Sequence, residues 1–175
     1  MKKLILLCVV NVLSIQAMDM QSTIHVTATE DLFKLIREKD DSSYEILESA
    51  IKKGADVNAI DNCAGRVPLA QTALLGKCLM FNYLVKNGAY VKPELLGWAI
   101  TGGHFAMIEM LLKKYKIDVN AITNNYTPLH LAIRRGDKPL TRILLNEGAK
   151  INPSDYGWGS EFDSILREEG KEIHI

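Results

Sequence analysis

The chain has 175 residues, 47% hydrophobic and 24% charged, and its 21 basic and 21 acidic side chains cancel at pH 7. That length and composition suit one folded domain with a sizeable core and exclude a disordered chain. The missing net charge excludes a whole-molecule field that would draw the protein to nucleic acid or to an anionic membrane.

Residues 1–17, "MKKLILLCVVNVLSIQA", carry a two-lysine head, an apolar stretch from Leu4 to Leu13 and a polar end. This is the pattern of a secretory signal, with cleavage expected after Ala17. The apolar stretch is shorter than the roughly 20 residues a spanning helix needs, and Asn11 interrupts it. No membrane association is therefore expected after cleavage, and the exported chain is expected in the periplasm or the medium. The bacterial look of the short lysine-led signal agrees. A cytosolic chain with a buried first helix is the alternative. Residues 18–28 hold no strong pattern and read as a leader.

From residue 29 onward the chain repeats itself. "DLFKLIREKDDSSYEILESAIKKGADVNAID" (31–61) ends in a phrase that returns as "IDVNAI" at 117–122. "GRVPLAQTALLGKCLMFNYLVKNGAYVK" (65–92) is copied at a constant offset of 60 in "NNYTPLHLAIRRGDKPLTRILLNEGAKIN" (124–152). Between them, "LLGWAITGGHFAMIEMLLKK" (95–114) matches the last copy at an offset of 33. Four units follow, over 29–60, 61–91, 92–122 and 123–152.

Each unit spells two helices. Thr127 is placed to cap a first helix that Pro128 opens, running to about Arg135. Gly136 supplies the left-handed turn, and Asp137 caps a second helix from Lys138 to Glu147. Leu140, Ile143 and Leu144, with Met107, Met110, Leu111 and Met80, Tyr83, Leu84 at matching places, form one apolar stripe on each second helix. Thr27 with Glu30 and Ser42 with Glu45 have capping-box spacing. "GAYVKPELLG" lacks hairpin residues, so a short or absent finger is expected before unit three, which also lacks a stopping glycine in "KKYKIDVN". Val67 replaces the capping threonine in unit two, which should be the softest. One such pair cannot bury its stripe alone, so units must stack. Ser160 to about Glu169 closes the array as a capping helix, with Phe162, Ile165 and Leu166 inward, over a final segment 153–175.

The run Thr127-Pro128-Leu129-His130-Leu131-Ala132, the 33-residue period, the turn glycines and the Ala-Asp-Val-Asn tail together resemble the ankyrin-repeat family. The resemblance implies an all-α solenoid of about four stacked units and a monomer that binds a protein partner on its concave face. By position, the binding residues in the fingers would be Asp61, Asn62 and Arg66, then Thr123, Asn124 and Tyr126. On the first helices they would be Leu74, Leu75, Thr101, Arg134 and Arg135. Tyr126, Arg134 and Arg135 are the residue types that dominate interface energies. Leu74 and Leu75 cannot both face one core, so one should stay partly exposed. Trp98 aligns with Leu131 and is expected in the core, whereas Trp158 is evenly placed between cap and partner. His130 occupies the motif histidine, which in ankyrin repeats bonds neighbouring backbone.

No catalytic, cofactor or metal site is expected. His25, His104, His130 and His174 fall in no ligand or nucleophile spacing, and no nucleophile elbow or phosphate loop is present. Cys8 leaves with the signal. A helix of nearly ten residues between Cys63 and Cys78, at about 1.5 Å per residue, exceeds the roughly 7 Å bridging limit, so free thiols are expected, with a strained or intermolecular bridge as the alternative. An exported enzyme with a site in the unaligned ends and a self-associating scaffold are the rival readings.

Overall fold

A computed structural model describes residues 27–38, 44–61 and 65–151, together with 164 and 167. The expected signal, the leader up to residue 26, Ser42, Asn62, Cys63 and Trp158 lie outside the described residues. So does most of the expected closing helix, of which Ser164 and Arg167 are helical.

The regular elements among the described residues are all helices, joined by turns. Helix α1 covers 27–37, starting inside the stretch read as leader, because Ala28 is already buried in the core. Then come α2 Tyr44–Lys52, α3 Pro68–Leu75, α4 Cys78–Lys86, α5 Leu95–Gly102, α6 Phe105–Lys113, α7 Pro128–Arg134 and α8 Lys138–Asn146.

Local chemistry sets the ends of the last pair. The Thr127 hydroxyl accepts the His130 N–H at 3.2 Å, and Pro128 opens α7 where no intrahelical donor is needed. Gly136 then turns the chain at φ +66°, a conformation that costs a residue bearing Cβ, and the Asp137 carboxylate accepts the Leu140 N–H at 3.1 Å to start α8. In unit two, Val67 holds the same extended backbone as Thr127 but makes no side-chain cap. Unit three has no glycine after α6, and Lys116 takes the positive φ instead.

The helices form two rows. First helices α3, α5 and α7 pack side by side, and α4, α6 and α8 each pack on the first helix of their own unit. Leu69, Leu96 and Leu129 run through one row, and Leu84, Leu111 and Leu144 through the other, all buried. One continuous apolar core extends from Ala28 to Ala149. The stripe on the second helices is narrower than the sequence suggests: Leu140, Thr141, Leu144 and Leu145 face inward on α8, while Ile143 is exposed. At 100° per residue, Ile143 sits at the edge of that face.

The turns are stapled. In each "DVN" the aspartate accepts the N–H of the asparagine two residues on, Asp56 from Asn58 at 2.8 Å and Asp118 from Asn120 at 2.9 Å. Each asparagine then bonds the following unit. Asn58 donates to the Gly88 carbonyl at 3.0 Å and accepts the Tyr90 N–H at 2.9 Å. Asn120 accepts the Lys150 N–H at 2.8 Å. Thr123 and Tyr126 exchange two backbone hydrogen bonds, at 2.9 and 3.0 Å, across Asn124 and Asn125, both at positive φ. That is a two-residue hairpin, and paired asparagines suit its turn. Among the described residues no such bridge precedes α5, in keeping with the missing finger residues.

Candidate interaction surface

Where the turns meet the first helices, the stack leaves an open groove of about 380 Å³. Its floor is Val67 and Ala70 from unit two, with Leu95 and Trp98 from α5. Its walls come from three successive turns: Ile60, then Tyr90, Lys92 and Glu94, then Ile122, Thr123 and Asn124. Ile60, Tyr90 and Ile122 are 67, 69 and 66% exposed, a ridge of large apolar side chains that the core does not claim.

Trp98 is half-buried, with one part packed on the core and another in the groove. The expectation of a core tryptophan is corrected to that extent, since its place in the first half of α5, beside the turns, leaves part of the ring facing the groove. The Arg66 guanidinium lies over the indole, 4.6 Å from the ring centre, a cation–π contact that holds the fork flat. The Arg66 Nε is buried and meets no acceptor among the described residues. Lys92 and Glu94 form a loose, solvent-exposed pair at 3.9 Å.

Several residues expected to be free are employed inside the stack. Asp61 is only 6% exposed, its carboxylate pairs with Arg37 of α1, and its N–H donates to the Arg66 carbonyl at 2.8 Å. Thr123 is 5% exposed and its hydroxyl donates to the Glu94 carbonyl at 3.0 Å. A Cβ at Gly97 would stand 2.3 Å from that hydroxyl, so the glycine is what lets turn and helix meet. Arg135 reaches back to donate to the Thr101 carbonyl at 2.8 Å, and the Thr101 hydroxyl donates to the Gly97 carbonyl at 2.8 Å.

The structure brings the rest together in two groups. Arg66, Thr123 and Asn124 line the groove. Tyr126 stacks on the His130 ring at 4.7 Å, and Arg134 covers the other side of the cluster, 5.3 Å from the tyrosine ring centre. His130 and Arg134 share one face of α7 at four-residue spacing, and Tyr126 meets them from the hairpin that precedes the helix. Leu74 and Leu75 are both half-buried, Leu75 on the core. The sequence reading missed Ile60, Tyr90 and Ile122. Its available signal was the isoleucine ending each "NAI", an apolar residue in a turn that no helix could bury.

Among the described residues no group of three His, Cys, Asp or Glu side chains could hold a metal ion, and no helix is long and apolar enough to cross a membrane. Cys78 is a free thiol at the start of α4, and burial pushes its pKa up.

Residues 69–155 match the family described as ankyrin repeats, in three copies. Over 114 residues, 62% of the chain, the sequence is 26% identical to alpha-latrocrustotoxin-Lt1a of Latrodectus tredecimguttatus. The match spans about 8% of that toxin's length.

Proposed function

The chain belongs to the ankyrin-repeat family, whose repeats are protein–protein interaction modules, and from that premise we propose that it is an exported, non-enzymatic binding protein that holds a protein partner in the groove between its turns and first helices. The observation that carries this reading is the exposed ridge of Ile60, Tyr90 and Ile122 beside Trp98, apolar surface left open on the face where Arg66 is already positioned. Large aromatic and arginine side chains on a rigid support lose little entropy on association. Tyr126 and Arg134, stacked on the last first helix, extend the surface. A patch of about 800 Å² per partner would be an ordinary interface.

Export rests on residues 1–17, and mass spectrometry of secreted protein beginning at Met18 is the expected outcome. Binding is tested by cross-linking in the compartment the protein reaches, comparing the wild type with Tyr90→Asp combined with Ile122→Asp. Loss of the wild-type partners from the double variant, with its melting temperature kept, is expected. An unchanged partner set sinks the assignment of this face.

The self-associating alternative has one observation in its favour. Phe105 and Ile143 are exposed beside a second groove of about 340 Å³ between α6 and α8. Light scattering across a dilution series separates the two: a dimer abolished by Phe105→Glu would support self-association, and a monomer throughout would remove it.

A further inference from the structure

Resting on the reading of this groove as the binding face, we propose that its occupant is an extended, acidic–apolar segment of a partner protein, with one aspartate or glutamate side chain seated on Arg66. Apolar neighbours of that carboxylate lie along Ile60, Tyr90 and Ile122.

The argument begins with charge. Three charged side chains line the groove, Arg66, Lys92 and Glu94. The last two face each other at 3.9 Å and largely cancel. Arg66 is left as the one cation there that no carboxylate among the described residues pairs with, although the chain as a whole carries equal numbers of acidic and basic groups. Two other arginines near the turns are occupied, Arg37 by Asp61 and Arg135 by the Thr101 carbonyl.

Geometry adds to charge. Trp98 supports the guanidinium from below, and its Nε is buried with no acceptor among the described residues. A stacked guanidinium offers its remaining N–H groups in one plane, the arrangement that matches a carboxylate with two parallel hydrogen bonds.

A single carboxylate fits better than a phosphate. The groove's net charge is one positive unit, and the Glu94 carboxylate on its wall repels a second negative charge on the same ligand. Size points the same way, because about 380 Å³ holds a few side chains and no folded domain. The ridge on three successive turns then gives alternate side chains of an extended segment an apolar surface to lie on.

The test is selection of random twelve-residue peptides displayed on phage, carried out in parallel on the wild type, Arg66→Glu and Arg66→Gln. Peptides enriched on the wild type are expected to carry an aspartate or glutamate flanked by at least two large apolar residues. Arg66→Glu is expected to enrich lysine or arginine at the same place. Synthetic wild-type winners should lose at least tenfold in affinity for Arg66→Gln, and their phosphoserine counterparts should bind no better than the carboxylates. They should also weaken as salt rises. Circular dichroism melts of both variants establish that they fold, and Arg66→Gln alone decides the matter if the charge reversal does not fold. Winners without an acidic residue, winners indifferent to Arg66, or no winner at all overturn the proposal. Acid-free winners competed away by the cross-linked partners would leave the groove as a binding face and remove only its acidic specificity. A set of cross-linked partners left unchanged by Tyr90→Asp with Ile122→Asp would remove the binding reading itself.

Discussion

Gly97 sets two opposing effects against each other. Alanine in a helix interior is worth about 1 kcal/mol over glycine, so Gly97→Ala in α5 would stabilise if space allowed. Space does not allow it: the new Cβ would meet the Thr123 hydroxyl at 2.3 Å and its Cβ at 2.4 Å. The second atom is fixed by backbone and no rotamer change relieves it, so the overpacking loss of about 1 to 3 kcal/mol should win. Urea denaturation should show a net destabilisation, with partial recovery when Thr123→Gly is added; a stabilised Gly97→Ala would mean that the turn does not pack where it is described. Cys78 gives a second residue-scale test. Burial disfavours its thiolate, and the thiolate is the reactive form. In a Cys8→Ser, Cys63→Ser background, iodoacetamide should modify it more slowly than a cysteine in an unstructured peptide at the same pH. Its rate should still be climbing with pH where the peptide's has levelled, and equal rates at all pH values would contradict the burial. Sequence position located Asp61, Thr123 and Arg135 on turns and helix ends but could not reveal their occupation. Their partners, Arg37, Glu94 and Thr101, lie 24, 29 and 34 residues away, and only stacking brings such pairs together.

Helices were the most legible part of the sequence, because their signals are local. Thr127, Pro128, Gly136 and Asp137 act within four residues of their own positions, and α7 and α8 begin where those residues put them. Ile143 was misread because a three-four spacing cannot distinguish the centre of a helical face from its edge. Trp98 was placed by alignment with Leu131, and alignment carries no information on the neighbour above it. The missing cap of α3 offers a test at this scale. Val67 already has the extended backbone of an N-cap, φ −78° and ψ 156°, close to the −75° and 158° of Thr127. Val67→Thr therefore needs no backbone change and adds a hydroxyl that can accept the Ala70 N–H. A gain of about 0.5 to 2 kcal/mol is expected, read as a higher denaturation midpoint at unchanged slope. No gain would mean that this donor is already satisfied and that unit two is not held back by its cap.

In a stack each unit touches only its neighbours, so stability is a sum of units and interfaces. Leu111 in α6 and Leu144 in α8 occupy equivalent places and are equally buried. Replacing either by alanine removes the same atoms, and each should cost about 2 to 5 kcal/mol. Their consequences for cooperativity should differ. The unit of α5 and α6 is bordered by α3 on one side and α7 on the other, so weakening it loosens two interfaces and uncouples the two ends of the array. Leu144→Ala weakens the unit of α7 and α8, where the described stack ends. Urea unfolding followed by circular dichroism should therefore broaden for Leu111→Ala, because the slope reflects the surface exposed in one cooperative step. For Leu144→Ala, hydrogen exchange should rise first in α7 and α8, with protection kept in α3 to α6. If both variants move the midpoint alike, keep the wild-type slope and raise exchange evenly from α3 to α8, the units unfold as a single body and nearest-neighbour coupling does not limit this fold.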